Sequence, residues 1–99
     1  MRKIVLMCSA GMSTSLLMNK MRDAAKAEGY DCTVEAVPIR SADVKGADAD
    51  IVLLGPQVRF QVKKIASELS CPVEAIDSMV YGRMDGAALL KRVKEVLGD

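Results

Sequence analysis

Four short apolar runs alternate along this chain with longer segments of helical period, and this alternation limits the folds that the chain can adopt. The runs cover residues 3–7, 32–37, 51–54 and 73–76. Run 51–54 contains no polar residue and is typical of a central parallel strand, whereas run 32–37 alternates and is typical of an edge strand. The pattern predicts a single three-layer α/β domain over 1–99, with a four-stranded parallel sheet and flanking helices.

Apolar stripes at helical spacing predict the helices that cover this sheet. The first helix is expected from Ser13 to Glu28, with Gly29 at its carboxyl end, and the last is expected to begin near Asp85. Segment 39–48 is the least clear, and only residues 41–44 could form a helical turn. The residues expected on the buried stripes are Leu17, Met21, Ala24 and Ala25; then Val58, Val62, Ile65, Ala66 and Leu69; then Leu89, Leu90, Val93, Val96 and Leu97.

The composition excludes several classes of function. The net charge is +1 and aromatic residues make up 3% of the chain, which argues against nucleic-acid binding. The chain contains no histidine and its three cysteines form no C-x-x-C motif, so we expect no metal, no cofactor and no histidine-assisted nucleophile. No stretch approaches the roughly 20 apolar residues of a membrane span, and we expect a cytoplasmic protein that does not insert into a membrane.

The most informative segment is C-S-A-G-M-S-T-S, which lies between the first apolar run and the first helix. Its cysteine, Cys8, is expected to face unpaired backbone N–H groups and the positive end of the helix dipole. Both favour a thiolate and a bound phosphate, so the segment predicts a cysteine that attacks or carries a phosphoryl group. A buried core cysteine beside an ordinary helix cap is the alternative. The predicted phosphate-binding residues are Ser9, Ala10, Gly11, Met12, Ser13, Thr14 and Ser15.

Three segments should meet at the edge of the sheet where the strands end, because right-handed crossovers bring all the carboxyl ends to one side. They are 8–15, 55–57 and 77–81. We expect Asp77 to accept hydrogen bonds from nearby backbone N–H groups. Cys32 and Cys71 are expected at the opposite edge as packing residues. Met12, Gln57 and Tyr81 are the candidates for surface contacts with partner proteins, and a half-buried tyrosine is the alternative at Tyr81.

Three blocks of the sequence resemble a known family, enzyme IIB of the lactose/cellobiose/chitobiose branch of the bacterial sugar phosphotransferase system. The blocks are I-V-L-M-C-S-A-G-M-S-T-S-L-L at 4–17, V-L-L-G-P-Q at 52–57, and I-D-S-M-V-Y-G at 76–82 with the following Asp85-Gly86. The resemblance implies that Cys8 is the phosphorylated cysteine and that residues 9–15 surround the phosphate. It also implies that a IIA partner donates the phosphoryl group from a phosphohistidine, and that the acceptor is a disaccharide bound by the membrane component IIC.

Two other functions use similar parts. Low-molecular-weight tyrosine phosphatases and arsenate reductases have the same loop arrangement, with the motif C-x5-R-[ST], but Thr14 stands where they have arginine. The missing guanidinium removes a bidentate phosphate clamp, and Asp77 is the only evident general acid, so the sequence favours carriage over hydrolysis. The third hypothesis is a non-catalytic module that binds an anion or a partner protein and in which Cys8 is inert.

Overall fold

The computed structural model describes residues 1–8, 12–38 and 48–99, and for residues 12–14 it describes the backbone alone. Four strands form one parallel sheet in the order β2-β1-β3-β4, which confirms the predicted fold class. The strands are Arg2–Cys8 (β1), Cys32–Pro38 (β2), Ile51–Leu54 (β3) and Val73–Ala75 (β4). The helices are Met12–Glu28 (α1), Val62–Glu68 (α2), Ser78–Gly82 (α3) and Gly86–Leu97 (α4), and a 3₁₀ segment, Pro56–Gln61, precedes α2.

The position of each strand follows from its polarity. All four residues of β3 are buried, and β3 lies between β1 and β4 as predicted for a central strand. Strand β2 has exposed residues on both sides of the buried Val34 and lies at an edge of the sheet, and this edge position is also as predicted. The fourth apolar run ends one residue beyond β4, where the Ile76 N–H still donates to the Leu54 carbonyl at 2.8 Å.

Two apolar cores lie on opposite faces of the sheet, because successive residues of β1 point to opposite sides. Ile4 and Leu6 pack against α1 and α4, whereas Val5 and Met7 pack against the 3₁₀ segment and α2. Ala66 was expected in the second core but is exposed. Helix α2 has only seven residues and buries Ile65 as its main contact, and the small side chain of alanine gains little from burial.

Helix α4 lies directly against the backbone of α1. A Cβ atom added at Gly86 would stand 2.4 Å from the Lys20 carbonyl carbon and 2.6 Å from the Met21 nitrogen. The preceding residue, Asp85, accepts a hydrogen bond from the Ala88 N–H at 3.1 Å and so caps the helix where the sequence predicts its start. This close contact fixes the position of α1, the helix that follows Cys8.

A cluster of charged groups closes the amino-terminal edge of the sheet. The Arg2 guanidinium donates to Asp99 at 2.9 and 3.0 Å and lies 3.7 Å from Asp50. The Tyr30 hydroxyl donates to the same Asp99 carboxylate. Hydrogen bonds from Arg2 and Tyr30 lower the pKa of Asp99 to about 2. Burial, and to a smaller extent the hydrogen bond to Asp99, raises the pKa of Tyr30 to about 12.

Candidate functional site

Cys8 is the last residue of β1 and lies at the carboxyl edge of the sheet, where parallel α/β folds bind their ligands. It is paired with Pro38 of β2, and on its other side the Gly55 N–H donates to the Met7 carbonyl at 2.8 Å. Alternation along β1 places Cys8 on the same face as Leu6, which is the face covered by α1. The predicted position of the cysteine, at a strand end and before a helix, is therefore confirmed.

The side chain of Cys8 is 4% exposed, so its immediate neighbours decide what it can bind. One of these neighbours is Gly55, which is itself buried. A Cβ atom at Gly55 would stand 3.4 Å from the Cys8 Cβ and 2.8 Å from the Gln57 Oε1. Cys8 and the Gln57 carboxamide therefore border the same small space over Gly55.

The loop predicted to surround a phosphate falls mostly outside the described residues. This applies to Ser9, Ala10 and Gly11, and to the side chains of Met12, Ser13 and Thr14. The structure does place the amino end of α1 at Met12, one residue before the predicted start, and Ser15 is exposed in its first turn. The phosphate-binding role of residues 9–15 stays a prediction.

Asp77 caps helix α3, as the sequence predicts. Its Oδ1 accepts hydrogen bonds from the Met79 N–H at 2.9 Å and the Val80 N–H at 3.2 Å. The carboxylate is therefore engaged by its own helix at the carboxyl edge of the sheet. Asp77 therefore has a structural role as the cap of this helix.

The three predicted partner contacts have different outcomes. Gln57 is exposed, as a contact residue should be, and the side chain of Met12 is not among those described. Tyr81 is 9% exposed and packs in the core between the sheet, α1 and α4, so its prediction as a surface contact is wrong. Helix α3 is a single short turn, and its inner side closes that core. Among the described residues the buried Tyr81 hydroxyl has no hydrogen-bond partner.

Sequence analysis missed three exposed apolar side chains near this edge. Phe60 is 77% exposed, Met79 is 63% exposed and Leu16 is 50% exposed. They lie in the segments that follow β3, β4 and β1, respectively, so each comes shortly after the carboxyl end of a strand. None of the three belongs to an apolar stripe of the predicted helices, and this lack of a core role was the signal available in the sequence.

The same segments carry basic side chains that have no acidic partner within the described part of the chain. Arg59 precedes Phe60, Lys63 and Lys64 follow it in α2, and Arg83 follows α3. All four are exposed, and the ion pairs in the described ranges involve other residues. The carboxyl edge therefore presents apolar and basic groups together.

The two other cysteines lie at the amino ends of strands, away from Cys8, as predicted. Cys32 is paired with Arg2 in the sheet, and Cys71 precedes β4. Both are half-buried free thiols, and burial raises the pKa of each. Within the described ranges, no cluster of three or more histidine, cysteine or acidic residues could hold a metal ion, and no helix is long and apolar enough to cross a membrane.

Comparison with known proteins gives a consistent set of relatives. A family model described as "PTS system, Lactose/Cellobiose specific IIB subunit" matches residues 3–92. The oligo-beta-mannoside-specific EIIB component of Bacillus subtilis is 44% identical, over 87% of this chain and 86% of its own length. The galactose-specific EIIB component of Lactococcus lactis subsp. cremoris is 37% identical, over 95% of this chain and 94% of its own length. The cellobiose-specific EIIB component of Lactococcus lactis subsp. lactis shows the same identity and coverage.

Solved structures agree with this assignment. The cellobiose-specific phosphotransferase IIB component of Borrelia burgdorferi superposes with a TM-score of 0.76 at 34% identity, over 98% of this chain and 92% of that one. The lactose-specific IIB component domain of Streptococcus pneumoniae superposes with a TM-score of 0.81 at 22% identity, over 96% of both chains. The second likeness bears on the fold alone.

Proposed function

This chain belongs to the lactose/cellobiose-specific IIB family of the sugar phosphotransferase system and is a phosphotransferase component, and on that premise we propose that Cys8 carries the phosphoryl group. The observation that supports this role is the position of Cys8 at the carboxyl end of β1, shortly before the amino end of α1. Backbone N–H groups at a helix amino end favour both a thiolate and the phosphoryl oxygens. Neither Cys32 nor Cys71 has such a position.

The transfer needs one bond to form and one to break. The Cys8 thiolate attacks the phosphorus of a phosphohistidine on the IIA partner, the S–P bond forms, and the P–N bond breaks. The histidine keeps the electron pair, and the thiol proton leaves to solvent. A sugar hydroxyl oxygen then attacks the phosphorus, the O–P bond forms as the S–P bond breaks, the hydroxyl proton leaves to solvent, and the sulfur keeps the electron pair as the regenerated thiolate. This sequence contains no histidine, which fits a relay whose histidine belongs to the donor protein.

IIB components work with IIA and IIC partners, and we propose that both dock at the carboxyl edge. Leu16, Phe60 and Met79 would supply the apolar contacts, in place of the buried Tyr81. Arg59 and the other unpaired cations of this edge fit an acidic rim on the partner, because opposite charges steer encounter and orientation. Interfaces of this kind should be modest in area, since one face must serve two partners in turn.

The setting of the reaction is part of the same proposal. We place residues 1–99 in the cytoplasm as one IIB domain, and we assign as acceptor a disaccharide of the cellobiose, chitobiose or lactose class, held by the membrane component IIC. The relatives are named for oligo-beta-mannoside, galactose and cellobiose. Because IIC binds the sugar, these differences among IIB relatives do not select one substrate for this chain.

Hydrolysis is not favoured as the function. Thr14 stands where the related phosphatases have their arginine, so the bidentate clamp on a phosphate dianion is missing. The Asp77 carboxylate accepts two backbone hydrogen bonds instead of serving a leaving group. A carrier benefits from both features, because its phosphocysteine must outlast the interval between partners.

The proposal is tested by intact-mass spectrometry at neutral pH. The protein is incubated with phosphoenolpyruvate, the two general phosphotransferase proteins and a cellobiose-type IIA protein. We expect the wild type and the matched controls Cys32→Ser and Cys71→Ser to gain the mass of one phosphoryl group, and Cys8→Ser to gain none. A gain in Cys8→Ser, or no gain in the wild type, would contradict the proposal. Steady turnover of p-nitrophenyl phosphate by the wild type would instead support a phosphatase.

A further inference from the structure

The backbone conformation of Gly55 does not require a glycine, but its surroundings leave little room for a side chain. Its φ of −58° and ψ of 151° are allowed for any residue. What a side chain would disturb is the space beside Cys8, because an added Cβ would meet Gln57 Oε1 at 2.8 Å and Cys8 Cβ at 3.4 Å. The first distance is too short for atoms that are not bonded. The carboxamide at the flexible end of Gln57 would therefore have to shift, so a glycine at position 55 lets Gln57 lie over the backbone beside Cys8.

The backbone around Gly55 holds Gln57 over this space. The Gly55 N–H donates to the Met7 carbonyl at 2.8 Å, and the Val58 N–H donates back to the Gly55 carbonyl at 3.0 Å. Pro56 lies between them and restricts the φ angle of the turn. The backbone of segment 55–58 is thus tied to β1 and closed by a turn, which places the backbone of Gln57 close to Gly55.

A phosphoryl group on Cys8 needs hydrogen-bond donors, and the Gln57 carboxamide, which lies over Gly55 beside Cys8, can supply one. A carboxamide has two N–H donors and no charge, and a half-turn of its terminal torsion presents Nε2 where Oε1 now lies. We propose that Gln57 donates a hydrogen bond to the phosphoryl group carried by Cys8, and that Gly55 leaves the space for this contact. The inference rests on the proposed function of Cys8 and names a further residue that touches the transferred group.

The chemistry of a neutral donor suits a carrier. An arginine at this position would add a positive charge and a bidentate contact with the phosphoryl oxygens, and would hold the phosphoryl group more firmly. A glutamine contributes a donor without adding positive charge. The phosphoryl group can then be accepted from one partner and released to the next.

The direct test is the side-chain amide spectrum of the ¹⁵N-labelled protein, before and after phosphorylation with phosphoenolpyruvate, the general phosphotransferase proteins and a trace of IIA. The chain has two glutamines, Gln57 and Gln61, and one asparagine, Asn19, so three NH₂ pairs are expected. We expect one Gln57 proton to move downfield on phosphorylation, while the Gln61 and Asn19 pairs stay in place. An unmoved Gln57 pair in protein whose Cys8 carries phosphate would overturn the inference alone. Protein that gains no phosphate would contradict the proposed function as well.

A second measurement separates contact with the phosphoryl group from contact with the partner. The equilibrium constant for transfer between IIA and this protein depends on the free phosphorylated species, whereas a docking contact changes only rates. We expect Gln57→Leu to lower this constant about tenfold, the size of one hydrogen bond to a charged group. Gly55→Ala should also lower this equilibrium constant. The matched control Gln61→Leu should stay within about twofold of the wild type, and an equally unchanged Gln57→Leu would overturn the inference.

Discussion

The two edges of the sheet use charged and apolar side chains in opposite ways. At the amino-terminal edge, Arg2 is paired with Asp99 and Asp50, and Lys3 lies 3.2 Å from Asp48. At the carboxyl edge, the described cations have no acidic partner, and Phe60 is among the large apolar side chains that stand in solvent. One edge pairs most of its described charges within the chain, and the other leaves its described basic and apolar groups available to another molecule.

The direction of the helices gives this difference a physical basis. In a parallel sheet, the helix that follows a strand begins at the carboxyl edge, so partial positive charge collects there and anions are favoured. Helices α1 and α4 end at the other edge, where their partial negative charge favours cations such as Lys94, which lies 3.0 Å from Glu28. The fold therefore produces one edge that favours anions and one closed edge from the same four strands.

The largest expected effect concerns the helix packing on which both edges depend. A Cβ atom at Gly86 would collide with the backbone of Lys20, so α1 and α4 must separate in Gly86→Ala. We expect the free energy of unfolding to fall by about 3 kcal/mol, measured by urea denaturation. The control Gly82→Ala, whose Cβ meets nothing within 4 Å, should instead raise it by up to about 1 kcal/mol. Equal values for the two variants would contradict the close contact.

The second prediction tests whether the exposed apolar groups of the carboxyl edge serve partners and not the fold. Phe60→Ala should change the free energy of unfolding by less than about 0.5 kcal/mol. It should lower kcat/KM for phosphoryl transfer from IIA about tenfold, because exposed aromatic side chains often dominate binding. Val58→Ala, a change in the same segment at a residue 5% exposed, should lower the free energy of unfolding by about 2 kcal/mol. An unchanged kcat/KM in Phe60→Ala would remove Phe60 from the docking surface.

The smallest expected effect concerns the closed edge. Because Arg2 lowers the pKa of Asp99 from its ordinary 3.8 to about 2, the folded protein binds this proton less tightly than the unfolded chain does. The resulting stability is present above pH 3.8 and is lost as the pH falls towards 2. Asp99→Asn should lose less stability over that range, with a small difference because these side chains face solvent. Urea unfolding between pH 2 and 5 measures it, and superimposable pH profiles would contradict the pairing.

Phosphoryl transfer provides the control for that variant. Asp99 lies at the edge opposite Cys8, so Asp99→Asn should accept the phosphoryl group at neutral pH at the wild-type rate. A slower rate would show that the two edges are coupled, and the division of roles between them would then be wrong.

The elements could be predicted because their signals are local. The apolar run 51–54 predicted a central strand covered on both faces. Gly29 was predicted to end α1, and it does so in the left-handed conformation at φ +70°. The placement of Cys8 followed from topology, since the carboxyl ends of parallel strands meet at one edge. These features depend on residues close in sequence or on rules shared by all parallel sheets.

The contacts between elements could not be predicted in the same way. Tyr81 has a large ring with a polar end, so its sequence position suits either a surface or a core, and the packing of α3 against α1 and α4 decides for the core. Alanine is small and occurs on both buried and exposed faces of helices, so the sequence alone does not show which face Ala66 occupies. The close approach of Gln57 and Cys8 at Gly55 joins residues that are distant in sequence, and only the assembled sheet shows it.

The most direct test of the division between the two edges is a comparison of backbone amide spectra of the ¹⁵N-labelled protein with and without the phosphoryl group, at matched pH. We predict that the amide signals of Gly55, Gln57 and residues 12–15 shift, and that those of Arg2, Tyr30 and Asp99 do not. Equal shifts at the amino-terminal edge, or unmoved signals at the carboxyl edge of protein whose mass has risen by one phosphoryl group, would contradict the account.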